Sequence, residues 1–173
     1  MTRAWRLEGA GADTLSLRPH TPGVPGPGEV RVRMQAAAIN NRDLAIAAGA
    51  YPNLPGIIPF SDGAGIVEQI GPGVEEFAPG DSVISCFYPA WESGPATARN
   101  HRQSLGCEMD GVLAEAIVLP ATALVHAPKS LTPEAAATLP CAGLTAWTAL
   151  FTEGGLRAGQ TVLIMGTGGV AVV

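Results

Sequence analysis

The sequence predicts a β-rich first zone over residues 1–126 and a helical second zone over residues 127–173 that closes on one parallel-type strand. Three observations carry this reading. The 173 residues include 22 glycines and 15 prolines, against an average combined usage of roughly 12%, so turns are frequent. Short apolar runs, several with period two, recur through the first zone and point to a barrel-like or sandwich-like arrangement. From Thr132 the pattern changes to helix, then an apolar strand, then a glycine turn.

Taken in order, Ala4–Leu7 and Thr14–Leu17 are short strands. The stretch 21–28, rich in Pro and Gly, is a turn. In Glu29–Met34, Val30, Val32 and Met34 share one face, with Arg31 and Arg33 on the other, which predicts a half-buried strand. Leu44–Ala48 reads as one or two helical turns closed by Gly49. Asp62–Ile70 is a strand whose glycines imply close backbone approach. Turns at Gly71–Gly73 and Pro79–Asp81 precede the strand Ser82–Cys86. Residues 87–110 show no period and form a long loop, a length usually kept for function or motion. Gly111–Leu119 and Ala121–Val125 read as two further strands. Thr132-Pro-Glu-Ala combines a cap, a first-position proline and a first-turn acid, and a second helix is expected over Gly143–Thr152. Thr161–Met165 is a buried strand.

Composition excludes several classes. Hydrophobic residues make up 47%, too many for a disordered chain, and charged residues only 14%. One lysine and nine arginines are scattered at a net charge of −5, so no basic stripe tracks a phosphate backbone and no nucleic-acid partner is expected. The longest apolar candidate, Ala135–Phe151, is broken by Pro140 and Gly143, so no membrane span is expected. The first residues lack an apolar signal core. Cys86, Cys107 and Cys141 are an odd count without tight pairing and read as reduced thiols of a cytoplasmic protein.

Gly166-Thr167-Gly168-Gly169-Val170-Ala171, behind an apolar strand, fits the dinucleotide turn with alanine in the third glycine place. The first glycine turns out of the strand, the second admits a pyrophosphate to the backbone, and a small third residue lets a helix pack. Four residues, 170–173, leave no room for that helix, and no acid lies about 20 residues on to bind ribose. A plain glycine turn ending a strand is the other reading.

The order of motifs resembles the medium-chain dehydrogenase/reductase superfamily, in its zinc-independent quinone-oxidoreductase-like branch. The matching segments include 39–43 (INNRD), 49–51 (GAY), 59–65 (PFSDGAG), 80–83 (GDSV), 110–115 (DGVLAE), 135–140 (AAATLP), 144–147 (LTAW), 159–163 (GQTVL) and 166–170 (GTGGV). The resemblance implies a β-rich GroES-like barrel of α+β class over residues 1–126, the catalytic domain. It implies that residues 127–173 hold linking helices and the first strand and glycine turn of an α/β Rossmann cofactor domain. On that comparison, about 150 further residues would complete such an enzyme.

Zinc-dependent members carry three catalytic ligands, whose places fall here at Asn40, at Ser61 with Asp62 following, and at Cys141. Neutral amide and hydroxyl groups suit zinc poorly, and the paired cysteines of a structural zinc loop are missing from residues 86–110, so no metal is expected. Cys141 then reads as an ordinary buried thiol. Without a Lewis acid, hydrogen bonds must polarise the substrate carbonyl while a nicotinamide supplies hydride. The resemblance gives the catalytic donor roles to Asn40 and Tyr51. Their alternatives are a turn asparagine and a loop aromatic packed on the barrel. It gives cofactor contacts to Asn41, Arg42, Thr145, Gly166, Gly168, Gly169 and Val170. Thr145 falls at the nicotinamide end, and Arg42 either meets a phosphate or stays a surface arginine. Asp43 holds local structure. In the loop, Trp91, Glu92, Arg99, His101 and Arg102 include no partnered catalytic pair, so His101 reads as solvated, and the loop covers a substrate by position alone. His20 and His126 have no constellation around them.

The expected function is therefore an NADPH- or NADH-dependent reductase of a quinone, enone or related carbonyl, with the resemblance favouring NADPH and a homodimer for the full-length enzyme. The alternative is a non-catalytic GroES-like module that binds or assembles. In either case Val162–Ile164 and the second helix, without their sheet, are expected to leave an apolar patch exposed and to favour self-association.

Overall fold

The computed structural model describes residues 1–52, 54–98 and 100–173; Arg99 of the long loop lies outside the described residues. β1 (Thr2–Leu7) and β2 (Leu15–His20) form an antiparallel pair, with Thr2 opposite His20 and Leu7 opposite Leu15. β3 (Glu29–Ala38), β4 (Asp62–Ile70), β5 (Ser82–Ser85), β6 (Ala116–Pro120) and β7 (Leu124–His126) form a second antiparallel sheet in the order β6-β3-β4-β5-β7. The period-two reading of β3 holds: Val30 and Val32 are buried, and Arg31 and Arg33 on the other face reach Glu68 at 3.2 and 3.5 Å. Burying each such valine is worth about 1.5–3 kcal/mol. The core adds Val67, Val83, Ile117, Leu119 and Leu124 from the neighbouring strands.

Two strand expectations of the β-rich zone are corrected. Residues 111–115 do not extend β6. Gly111, Val112 and Leu113 instead donate to the carbonyls of Ile58, Phe60 and Pro59, and Glu115 to that of Arg3. They tie the 57–61 segment and β1 to the sheet. Ala121–Ala123 is a 3-10 turn, so β7 begins only at Leu124. Phe60 has a φ of 73°, a left-handed conformation rare for a large side chain. A Cβ on Gly111 would stand 2.0 Å from the Phe60 oxygen, so only glycine lets these backbones meet.

α1 (Asn41–Ala47) starts behind Asn40 and buries Ile46 against Leu7, Ile57 and Cys107. α2 (Pro133–Ala136) is capped by Thr132, whose hydroxyl accepts the Ala135 N–H at 3.3 Å, and Ala136 packs with Ala64 and Ile84. The expected second helix is longer and less regular: α3 (Leu144–Trp147) is flanked by wide π-type turns at Leu139–Gly143 and Thr148–Glu153. Pro140, without an N–H, accounts for the irregular start. Thr161–Met165 is neither strand nor buried, and Leu163 is 85% exposed. A parallel strand needs neighbours to take its N–H and C=O groups, and among the described residues none pairs with it. The glycine turn leads into α4 (Gly169–Val172), a single helical turn where none was expected. Among the described residues, no helix is long and apolar enough to cross a membrane.

Candidate active site

The sheet, α1 and the 139–143 turn converge on two buried carboxylates. Asp62 opens β4 and is 0% exposed; Asp43, in the first turn of α1, is 4% exposed. The Ser61 hydroxyl donates to Asp62 Oδ1 at 2.6 Å, and the Cys141 backbone N–H donates to Asp62 Oδ2 at 2.8 Å. The Asn40 backbone N–H donates to Asp43 Oδ2 at 2.7 Å. The side-chain nitrogen of Asn40 is buried and completes no hydrogen bond of good geometry, yet it lies close enough to Asp62 to favour that carboxylate's charged form. Ser85 completes the floor. Its hydroxyl donates to the Ser61 carbonyl at 2.7 Å and accepts the Gly63 N–H at 3.0 Å.

Burial, reinforced by the Asp62 charge, pushes Asp43 up to about 6, against the pull of the Asn40 N–H and Arg42. Burial also raises Asp62, offset by Ser61, Asn40 and the Cys141 N–H. The Cys141 thiol is raised by burial and then by the two carboxylates, which keeps it protonated.

Asn40 thus sits inside this cluster, and Cys141 hydrogen-bonds to it through its backbone N–H. Asn41 is exposed at the start of α1. Arg42 is corrected as a surface residue. Its side chain is 20% exposed, donates to Ser104 Oγ and to the Leu105 carbonyl, lies 3.8 Å from Glu108 and stacks 4.6 Å from the Phe87 ring centre. Tyr51 is 48% exposed beyond the end of α1. Thr145 is exposed on α3, one turn beyond Cys141. Gly166, Gly168, Gly169 and Val170 are exposed, and a Cβ on any of the three glycines would meet nothing. Gly166 has a φ of 89°, a left-handed conformation that by itself favours glycine.

A cleft of about 670 Å³ adjoins the cluster, with Phe87, Tyr88 and Trp91 on the loop side and Leu144, Trp147 and Phe151 on the helical side. His101 is exposed but not merely solvated: Tyr88 stacks on it at 4.8 Å and Trp91 meets it edge-on at 5.3 Å. The sequence reading gave Asp62 no role of its own. The available signal was an acid opening a strand of otherwise small residues, Gly63, Ala64 and Gly65.

Residues 26–129 match the alcohol dehydrogenase GroES-like domain family. The chain belongs to that family, within the medium-chain dehydrogenase/reductase superfamily. It is similar to a zinc-type alcohol dehydrogenase-like protein of Schizosaccharomyces pombe, with 47% identity over 163 residues, 90% of this chain and 47% of the relative. It is 33% identical to the acryloyl-coenzyme A reductase of Sulfurisphaera tokodaii over 86% of this chain and 47% of that protein. The chain therefore spans about half the length of these curated relatives. The GroES-like fold recurs in solved structures. One is a Sinorhizobium meliloti 1021 protein described as an alcohol dehydrogenase (TM-score 0.90, 44% identity, 99% of this chain and 52% of that one). A second is a quinone oxidoreductase of Pseudomonas syringae pv. Tomato DC3000 (TM-score 0.69, 28% identity, 94% and 42%). A third is a zinc-binding dehydrogenase from the same Sinorhizobium strain, solved with NADP (TM-score 0.76, 26% identity, 93% and 48%).

Zinc, named for some of these relatives, does not fit the GroES-like site of this chain. At the places of the zinc ligands Asn40 offers a neutral amide and the Ser61 hydroxyl is given to Asp62, which leaves Cys141 as the one thiol among them, a donor set poorly suited to a three-ligand zinc site.

Proposed function

We propose that the chain is the front portion of a zinc-independent oxidoreductase that uses NADPH or NADH to reduce a quinone, enone or related carbonyl compound. The observation that carries this reading is the donor set at the ligand places of the zinc-dependent members: Asn40 carries an amide where they carry a thiolate, and its buried side-chain nitrogen lies beside Asp62 with no hydrogen bond of good geometry. A donor aimed at a developing oxyanion can replace a Lewis acid, and its loss costs on the order of 10²–10³ in rate. Tyr51, half exposed, is the second donor and proton source. The likeness to an acryloyl-coenzyme A reductase and a quinone oxidoreductase supports activated alkenes and quinones as substrates.

Residues 1–126 are assigned to the catalytic domain and 127–173 to the start of the cofactor domain. A nicotinamide dinucleotide supplies hydride when bound. The turn Gly166, Gly168, Gly169 and Val170 would hold its phosphates, and Asn41 and Thr145 would meet it nearer the reacting end. Arg42 is assigned instead to holding residues 104–108, since four groups of the protein already engage it. The full-length enzyme is placed in the cytoplasm as a homodimer.

The test is NADPH and NADH oxidation by the full-length protein with 1,4-benzoquinone and 2-cyclohexen-1-one, before and after chelation. Turnover unaffected by chelator, and lowered about 10²-fold by Asn40→Ala, is expected. Stoichiometric bound zinc with chelator-sensitive turnover would overturn the reading.

A further inference from the structure

Asp43 and Asp62 flank Asn40 and are not equivalent. Asp62 has a donor on each oxygen, Ser61 Oγ–H at 2.6 Å and the Cys141 N–H at 2.8 Å. Asp43 has the Asn40 N–H on Oδ2 at 2.7 Å, but its Oδ1 is buried without a hydrogen-bond partner. An oxygen buried without a donor forfeits its hydration as an anion and is better served by carrying a proton itself.

The charged and titratable groups facing the pair do not remove this imbalance. Arg42 of α1 is the nearby cation, and its guanidinium is directed to Ser104, the Leu105 carbonyl, Glu108 and the Phe87 ring. Cys141, on the 139–143 turn, gives its N–H to Asp62 and keeps a protonated thiol. Two carboxylates therefore share a buried space with donors enough for one full negative charge.

We infer that Asp43 is the proton-holding residue of this site: in mildly acidic solution its Oδ1 carries a proton while Asp62 stays charged, and gain or loss of that proton changes the grip on Asn40. Asp43 is a positioning residue in this arrangement, acting through the Asn40 N–H it accepts. Its rise to about 6 runs in the same direction as the hydrogen-bond inventory. The catalytic consequence rests on the reductase reading of Asn40; the titration itself does not, so the two fail separately.

The test is nuclear magnetic resonance on the intact chain with ¹³C-labelled aspartate and ¹⁵N-labelled asparagine, from pH 4 to pH 8. The Asp43 carboxyl carbon is expected to titrate near pH 6 and above Asp62, and the Asn40 side-chain amide signals are expected to follow the Asp43 midpoint. In Asp43→Asn, the Asn40 signals should be flat across that range. Because the wild-type titration carries the primary readout, a poorly folding variant leaves the proposal testable. An Asp43 midpoint near the ordinary value of about 4, an Asp62 midpoint above that of Asp43, or Asn40 signals indifferent to the Asp43 midpoint would each overturn it.

Discussion

The Asp62 carboxylate accepts the backbone N–H of Cys141 at 2.8 Å, joining residues 79 apart in sequence. This bond moors the irregular helical turn 139–143 to the first residue of β4. It also brings the peptide of Cys141 into hydrogen-bond contact with the cluster, while its thiol lies near enough to be raised by both carboxylates.

Removing that acceptor should be costly. Asp62→Ala leaves the Ser61 hydroxyl and the Cys141 N–H buried without a partner, at about 1–3 kcal/mol each. A total loss of about 2–6 kcal/mol by urea denaturation is expected. Asp62→Asn keeps one acceptor oxygen and loses the expense of a buried charge, so it should cost clearly less.

Arg42 offers a separation between structural and cofactor roles. Arg42→Ala should destabilise the chain by about 1–3 kcal/mol and loosen residues 104–108, seen as faster amide hydrogen exchange there. Arg42→Lys should recover little, since a point ammonium cannot reach Ser104 and the Leu105 carbonyl while also stacking on Phe87. Unchanged stability with weakened dinucleotide binding would return Arg42 to the phosphate role.

Gly111→Ala tests the clamp around Phe60. The added Cβ would stand 2.0 Å from the Phe60 oxygen and 2.6 Å from the Pro59 oxygen, both backbone atoms that cannot swing aside. A loss of about 3 kcal/mol, at the upper end of ordinary overpacking, is expected in thermal or chemical denaturation. Because Phe60 directly precedes Ser61 and Asp62, the amide resonances of these residues should shift in the folded fraction.

The exposed apolar face predicts association of the 173-residue chain. Leu144 is 61% and Trp147 60% exposed, and Trp147 pairs with Phe151 at 4.4 Å between ring centres. Sedimentation should show concentration-dependent self-association that Trp147→Glu reduces. A monodisperse monomer for both forms would contradict this.

Local chemistry made much of the fold legible. The alternation of Val30 and Val32 with Arg31 and Arg33, the Thr132 cap and the closure of α1 at Gly49 all follow from rules that act within a few residues. Legibility failed where partners are distant. Residues 111–115 have strand composition, yet they pair with the 57–60 segment and β1, which no short-range pattern specifies. Thr161–Met165 has the composition of a buried strand and remains unpaired, because burial depends on neighbours and not on the segment itself.

By itself, then, the sequence determined the β-rich first zone, the helical second zone, the superfamily resemblance and the replacement of two would-be metal ligands by Asn40 and Ser61. Only the tertiary structure decided that Asp43 and Asp62 close on Asn40 as an unequal pair, that Arg42 is spent on residues 104–108, and that Cys141 contributes its backbone. The physical reason is that propensity and periodicity are local properties of the chain. The protonation of a carboxylate is set by burial and by donors that the fold brings from up to 79 residues away.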